Sequence, residues 1–169
     1  MTRFKMKGLG TALLLALAAF GEQGFDNNGA LRAGSMNSAA HFEVDRSKDI
    51  AGPDANANGV RDDIESWINA QPIDERQRKS LMQEARVTQR TLVVNLKDEA
   101  ALQKTGEGFA ASAKCGGDSF PIYSMFSRLA DKIEALTANT KERAARYMQY
   151  NAARSGSSTT HPSGDACEP

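Results

Sequence analysis

The sequence predicts a mainly α protein, a small bundle of about four helices preceded by one loop with metal-ligand spacing. Pro121 opens a segment in which Ile122, Met125, Phe126, Leu129, Ile133 and Leu136 recur at helical spacing, the strongest such signal in the chain. A second stripe, Leu81, Ala85, Thr88, Leu92 and Leu96, predicts a long helix from Ile73 to about Leu96. Residues Asp54 to Glu65 read D-A-N-A-N-G-V-R-D-D-I-E and match D-x-[DN]-x-[DN]-G-x5-E at every fixed position.

The chain has 169 residues, and the first 21 have the pattern of a secretory signal peptide. Arg3, Lys5 and Lys7 form a basic start, Gly8 to Phe20 is apolar, and small residues at Ala16 to Gly21 suit cleavage. The apolar run is shorter than the roughly 20 residues of a membrane span, so a retained anchor is the weaker alternative. No Cys follows it, which argues against a lipoprotein. Removing residues 1–21 takes away three of 21 basic residues and none of the 21 acidic ones, leaving a net charge of about −3. That balance gives no support to nucleic-acid binding. Roughly 148 residues remain, enough for one domain with a modest core.

From Glu22 to Ala40 the chain is rich in Gly, Asn, Ser and Ala, and His41 to Ile50 alternates too briefly to specify a strand. Residues 22–49 are therefore expected to form a flexible N-terminal arm. A helical domain is expected over 50–154.

The loop at 54–65 suits Ca²⁺, which takes six to eight oxygens. Asp54, Asn56 and Asn58 would each give one oxygen, Val60 its carbonyl, Asp62 a direct or water-mediated contact, and Glu65 both carboxylate oxygens. Gly59 supplies the sharp turn. A metal-free explanation exists: Asn58-Gly59 is a good turn, and Asp62 with Glu65 has capping-box spacing for the next helix. It leaves Asp54 and Asn56 unexplained. With Asn at two ligand positions, the expected affinity falls in the weaker range, roughly 10⁻⁵ to 10⁻³ M.

After the loop, Val60, Ile64, Trp67 and Ile68 mark a short amphipathic helix over 62–70, with Trp67 as its expected anchor. Asp74 and Glu75 sit where the next helix favours anions. Asp98 to Lys114 reads as a further helix weakened by Gly106 and Gly108 and stopped by Cys115-Gly116-Gly117. Asn139 and Glu142 have the spacing of a cap and its partner, starting a last helix with Ala144, Tyr147, Met148 and Tyr150. The tail over 155–169 is polar. Cys115 and Cys167 are expected to form a disulfide that tethers this tail, closing a loop of about 53 residues worth about 4 kcal/mol in the chain-entropy estimate. Two free thiols are the alternative.

The loop resembles the EF-hand-like calcium loops of dockerins, thrombospondin type 3 repeats and other exported bacterial proteins, in which the entering helix is often missing. Pro53, directly before Asp54, fits that form because it cannot carry a helix into the loop. Dockerins carry the loop in duplicate and this chain has it once, so cohesin binding is not implied. Paired hands place an apolar residue at the eighth loop position, where this chain has Arg61. The resemblance thus implies a solitary, structural calcium site. The stretch Asn139 to Asn151, with a late Cys, also resembles small exported proteobacterial proteins of unassigned function.

Catalytic patterns are sparse. His41 and His161 pair with no nucleophile motif, and the chain has no phosphate loop, H-E-x-x-H or C-x-x-C. Most acidic residues read as solvated helix surface, and Arg143, Arg146 and Arg154 with Tyr147 and Tyr150 as a solvated helix end, with a binding face as the alternative. The expected function is that of an exported, periplasmic or extracellular, calcium-binding protein with a structural site and an interaction role toward a protein partner in the cell envelope, with no nucleic acid and no stable membrane insertion. The alternatives are an envelope hydrolase using calcium as scaffold and a calcium sensor.

Overall fold

The computed structural model describes residues 42–169; the signal-peptide pattern, His41 and most of the expected arm lie outside the described residues. Five helices follow in order: α1 (Asp62–Asn69), α2 (Glu75–Val93), α3 (Glu99–Ser119), α4 (Tyr123–Thr137) and α5 (Lys141–Ala153). No strand occurs among the described residues. The architecture is the helical bundle that periodicity predicts, with short α1 added to four longer helices. Helix α2 is central and contacts each of the other four.

The stripe on α2 explains this position. Leu81, Ala85, Thr88 and Leu92 are all buried, and Leu81 and Ala85 join Val60, Ile64, Ile68, Phe126, Ile133 and Leu136 in the main core. Asp74 starts α2 with a reciprocal capping box: its carboxylate accepts the Gln77 N–H, and the Gln77 side chain accepts the Asp74 N–H. That arrangement satisfies two of the donors a helix start leaves open. On α1 the anchors are Ile64 and Ile68, both fully buried, whereas Trp67 is half-buried and packs on the edge of the core. Trp67 is therefore not the anchor its size suggests.

Helix α3 runs through Cys115-Gly116-Gly117 to Ser119 and does not stop there. Packing outweighs helix propensity: Gly116 lies under the Phe126 ring, and a Cβ at Gly116 would overlap it. Cys115 is buried next to it and disulfide-bonded to Cys167, with Cα atoms 4.8 Å apart. The tail is further held by both ends of the Gln83 amide, which donates to the Ala166 carbonyl and accepts the Glu168 N–H, and by an Arg86–Glu168 ion pair. Helix α5 is capped by Thr140, whose hydroxyl accepts the Arg143 N–H, and not by Asn139. No described helix is long and apolar enough to cross a membrane.

Residues 42–50 are fastened to the helices. Val44 packs against the core, the Asp45 N–H donates to Asp63, and the carbonyls of Asp45, Asp49 and Ile50 accept from Arg143. Composition places this stretch in a flexible arm. Long-range contacts to α1 and α5 fix it.

Candidate metal centre

The loop is built on a chain of side-chain-to-backbone hydrogen bonds in which alternate residues turn inward. Asp54 accepts the N–H groups of Asn58 at 3.1 Å and Gly59 at 2.9 Å through its two carboxylate oxygens. Asn56 accepts the Asn58 N–H at 3.1 Å, and Asn58 accepts the Val60 N–H at 2.8 Å. The bonds of Asn56 and Asn58, each to the N–H two residues on, are Asx turns in series, the local alternative to helix that Asn and Asp side chains offer. Two residues take positive φ to close the path, Gly59 at 83° and Ala57 at 54°. The second costs about 1 kcal/mol or more because it carries a Cβ.

The far end of the loop folds back onto the near end. Asp62 is the first residue of α1, yet its Oδ1 accepts the Ala55 N–H at 3.0 Å across the loop. Glu65 Oε2 accepts from the side-chain amides of Asn56 at 3.0 Å and Asn58 at 2.9 Å. The Pro53 carbonyl accepts the Asp62 N–H at 2.9 Å and ties the loop's two ends. Helix α1 has no side-chain cap, and the Glu65 N–H donates to the Arg61 carbonyl. The capping box that Asp62 and Glu65 spacing permits is therefore not formed. Both carboxylates serve the loop.

Of the sequence-predicted ligands, Asn56, Asn58 and Glu65 are brought into direct contact, with Asp54 and Asp62 engaged on the same loop backbone. Val60 is fully buried in the main core, which fixes the loop's backbone at that point. Asn56 is exposed; Asp54, Asn58, Asp62 and Glu65 are half-buried. The oxygens are hard donors of the kind calcium selects, and each carbonyl or carboxylate oxygen that accepts one N–H retains a second lone pair. No cluster of three His, Cys, Asp or Glu side chains with metal-ligand geometry occurs among the described residues, so the donor set is a mixture of carboxylates and amides.

Beneath the loop lies a polar frame that sequence reasoning missed. Arg61 is fully buried; its Nε donates to Asp63 at 2.5 Å and its Nη2 to Asp63 at 2.9 Å and to the Leu136 carbonyl at 2.8 Å. Arg143 is also fully buried and donates to Asp45 at 2.5 Å, to three backbone carbonyls and to Asn139. Burial pushes the Asp45 carboxyl up, but hydrogen bonds from Arg143 and Ser47 and the Arg143 charge outweigh it and hold it below the ordinary range. Arg146 donates to the carbonyls of Leu92 and Val94 at the end of α2, and Arg154 to Gln103 and Thr159. The arginines of α5 are thus clamps between elements. A solvated helix end does not describe them. The Arg61-x-Asp63 spacing at a helix start was the one local hint.

A second acidic group departs from the surface reading. Glu84 is 8% exposed and accepts from Ser112 at 2.6 Å and from Thr88. Burial pushes its carboxyl up, the two hydroxyls partly offset this, and Glu134 and Asp131 add to the rise. Burial, then the charge of Glu134, lift the Tyr147 phenol to about 12. His161 is exposed in the tail.

No protein-family model, curated protein or solved structure matches the chain.

Proposed function

We propose that the protein is an exported calcium-binding protein whose single loop, Asp54 to Glu65, holds the ion as a structural clamp. The observation that carries this reading is Glu65, which reaches back across the loop to Asn56 and Asn58 in place of capping α1. A cation at that point of convergence would neutralise Asp54, Asp62 and Glu65 and offset the cost of the left-handed Ala57. A clamp fits better than a switch. Val60, Ile64 and Ile68 directly after the turn are fully buried, so opening α1 to expose an apolar groove would dismantle the main core. The disulfide fits an oxidising compartment, in keeping with the signal-peptide pattern. An interaction role toward an envelope protein partner would rest on this ordered frame.

Calcium titration of the protein tests the reading, followed by Trp67 fluorescence and melting temperature. The chain has one Trp, so the emission reports α1 alone. At free calcium a hundredfold above Kd, the stabilisation is about 2.7 kcal/mol, a rise in Tm of roughly 10 °C. Glu65→Gln abolishes the response. Absence of any shift in the native protein at millimolar calcium would sink the proposal.

A further inference from the structure

Helix α4 buries Phe126, Ile133, Leu136 and Thr137 and leaves the start of its own hydrophobic stripe outside. Ile122 is 61% exposed, Tyr123 53% and Met125 39%, although Ile122 and Met125 fall at the spacing of the core residues. Six large hydrophobic side chains are exposed among the described residues, and three of them lie within these four positions. Scattered exposed hydrophobics are ordinary, whereas a cluster marks a surface used for contact. The cluster also has a firm support. The Tyr123 ring lies beside Phe126 with centroids 5.9 Å apart, Phe126 lies beside buried Phe120 at 5.8 Å, and Gly116 of α3 sits directly under the Phe126 ring.

Beyond Met125, exposed Arg128 and Lys132 continue the same flank of α4 at i+3 and i+7. Neither forms an ion pair among the described residues. Acidic residues of the same region are engaged elsewhere. Asp118 is bound to Lys114 at 2.7 Å, and Asp131 and Glu134 lie on the flank toward Glu84, whose carboxyl their charges help push up. An apolar tip thus runs into a short ridge with two unpaired cations.

We propose that the start of α4 docks on a negatively charged phospholipid surface. Ile122 and Met125 enter between the headgroups, the Tyr123 phenol stays at headgroup level, and Arg128 and Lys132 hold lipid phosphates with their alkyl stems laid along the apolar edge. A bilayer is the flat partner this ridge fits, because one plane laid along the flank of α4 meets Met125, Arg128 and Lys132 together. The contact is peripheral, since no described helix is long and apolar enough to cross a membrane. The inference uses no residue of the loop and stands apart from the metal reading.

Quenching by lipid chains tests it on the full chain carrying Trp67→Phe and Tyr123→Trp, which moves the one Trp to the patch. A local reporter is needed because Arg3, Lys5, Lys7 and the apolar run after them can bind lipid on their own. Vesicles of phosphatidylglycerol and of phosphatidylcholine, each with brominated acyl chains, are titrated in. Phosphatidylglycerol is expected to quench the emission with an apparent affinity about tenfold or more tighter than phosphatidylcholine. In the same background, Ile122→Ser/Met125→Ser and Arg128→Gln/Lys132→Gln each weaken the quenching about tenfold. Melting temperature changes little, as expected of four exposed positions. The proposal is overturned by an absence of quenching, which assigns the patch to a protein contact, by equal quenching on the two lipids, or by either double variant quenching like its parent.

Discussion

Arg61 and Asp63 form an enclosed ion pair at the first turn of α1, with Nε to Oδ1 at 2.5 Å and Nη2 to Oδ2 at 2.9 Å, and no part of Arg61 reaches solvent. The same carboxylate accepts the N–H of Asp45, 18 residues earlier. One acidic side chain therefore joins the N-terminal segment, the loop and α4, the last through Arg61 and the Leu136 carbonyl. Burying the pair costs desolvation, and its value is positional: it sets where the loop ends and α1 begins.

Asp63→Leu is expected to destabilise the protein by about 3–5 kcal/mol, because it leaves the Arg61 charge buried and unpaired. Thermal and urea melts measure this. The double variant Arg61→Met/Asp63→Leu is expected to lose less than Asp63→Leu alone. Equal losses would mean that the carboxylate matters only through the Asp45 and Ile64 N–H groups it also accepts.

Acid should release residues 45–50 first. The folded-state pKa of Asp45 lies below its ordinary 3.8, so its contribution is present above that value and is lost as pH falls through the depressed one. Hydrogen exchange followed from pH 6 into the acid range below 3.8 is expected to show lost protection at Ser47, whose N–H bonds Asp45. Asp45→Asn shows that loss already at pH 6, while the α2 amides stay protected.

Glu84 has the opposite sign. Its folded-state pKa is raised above the ordinary 4.5, so the folded chain holds a proton that the unfolded chain releases, and stability falls as pH rises from there through the raised value. Glu84→Gln keeps the hydrogen-bonding shape without the charge. It is expected to gain about 1 kcal/mol at pH 7, a few degrees in Tm, and to flatten the fall above pH 4.5. A variant less stable than the native protein at pH 7 contradicts this account.

Gly116→Ala is expected to cost about 1–3 kcal/mol despite the better helix propensity of Ala, because the new Cβ meets the Phe126 ring. Phe126→Leu combined with it should recover part of the loss, since a smaller side chain removes the overlap. If Gly116→Ala proves stabilising, helix propensity and not packing governs that turn.

The existence of the helices was legible because a buried helical face leaves a local record. The stripes on α1, α2 and α4 are contained within a few turns each; Ile64, Ile68, Leu81, Ala85, Leu92, Phe126, Ile133 and Leu136 are buried as their spacing predicts, whereas Ile122 and Met125 at the start of α4 are exposed and Leu96 lies beyond the end of α2. Helix ends were less legible: α3 continues through two glycines because Phe126, from another helix, covers Gly116. The hydrogen-bonded course of the loop is local for the same reason as the stripes, since its turns and the return of Glu65 span only neighbouring residues.

What the sequence by itself determined is therefore local: the helical class, the spacing of oxygen donors from Asp54 to Glu65, and the two cysteines available for one bridge. The tertiary structure alone decided the fate of the charged residues. Arg61, Asp63, Glu84 and Arg143 look like solvated surface in a linear reading and are buried in the fold. Arg143 and Glu84 find remote partners, Asp45 lying 98 residues from Arg143 and Ser112 lying 28 from Glu84, whereas Arg61 and Asp63 pair two residues apart and are enclosed by the distant Leu136 carbonyl and Asp45 N–H. A charge is tolerated away from water only when a partner is delivered to it; for Arg143 and Glu84 chain folding delivers that partner, and for Arg61 and Asp63 it delivers the enclosure around a local pair.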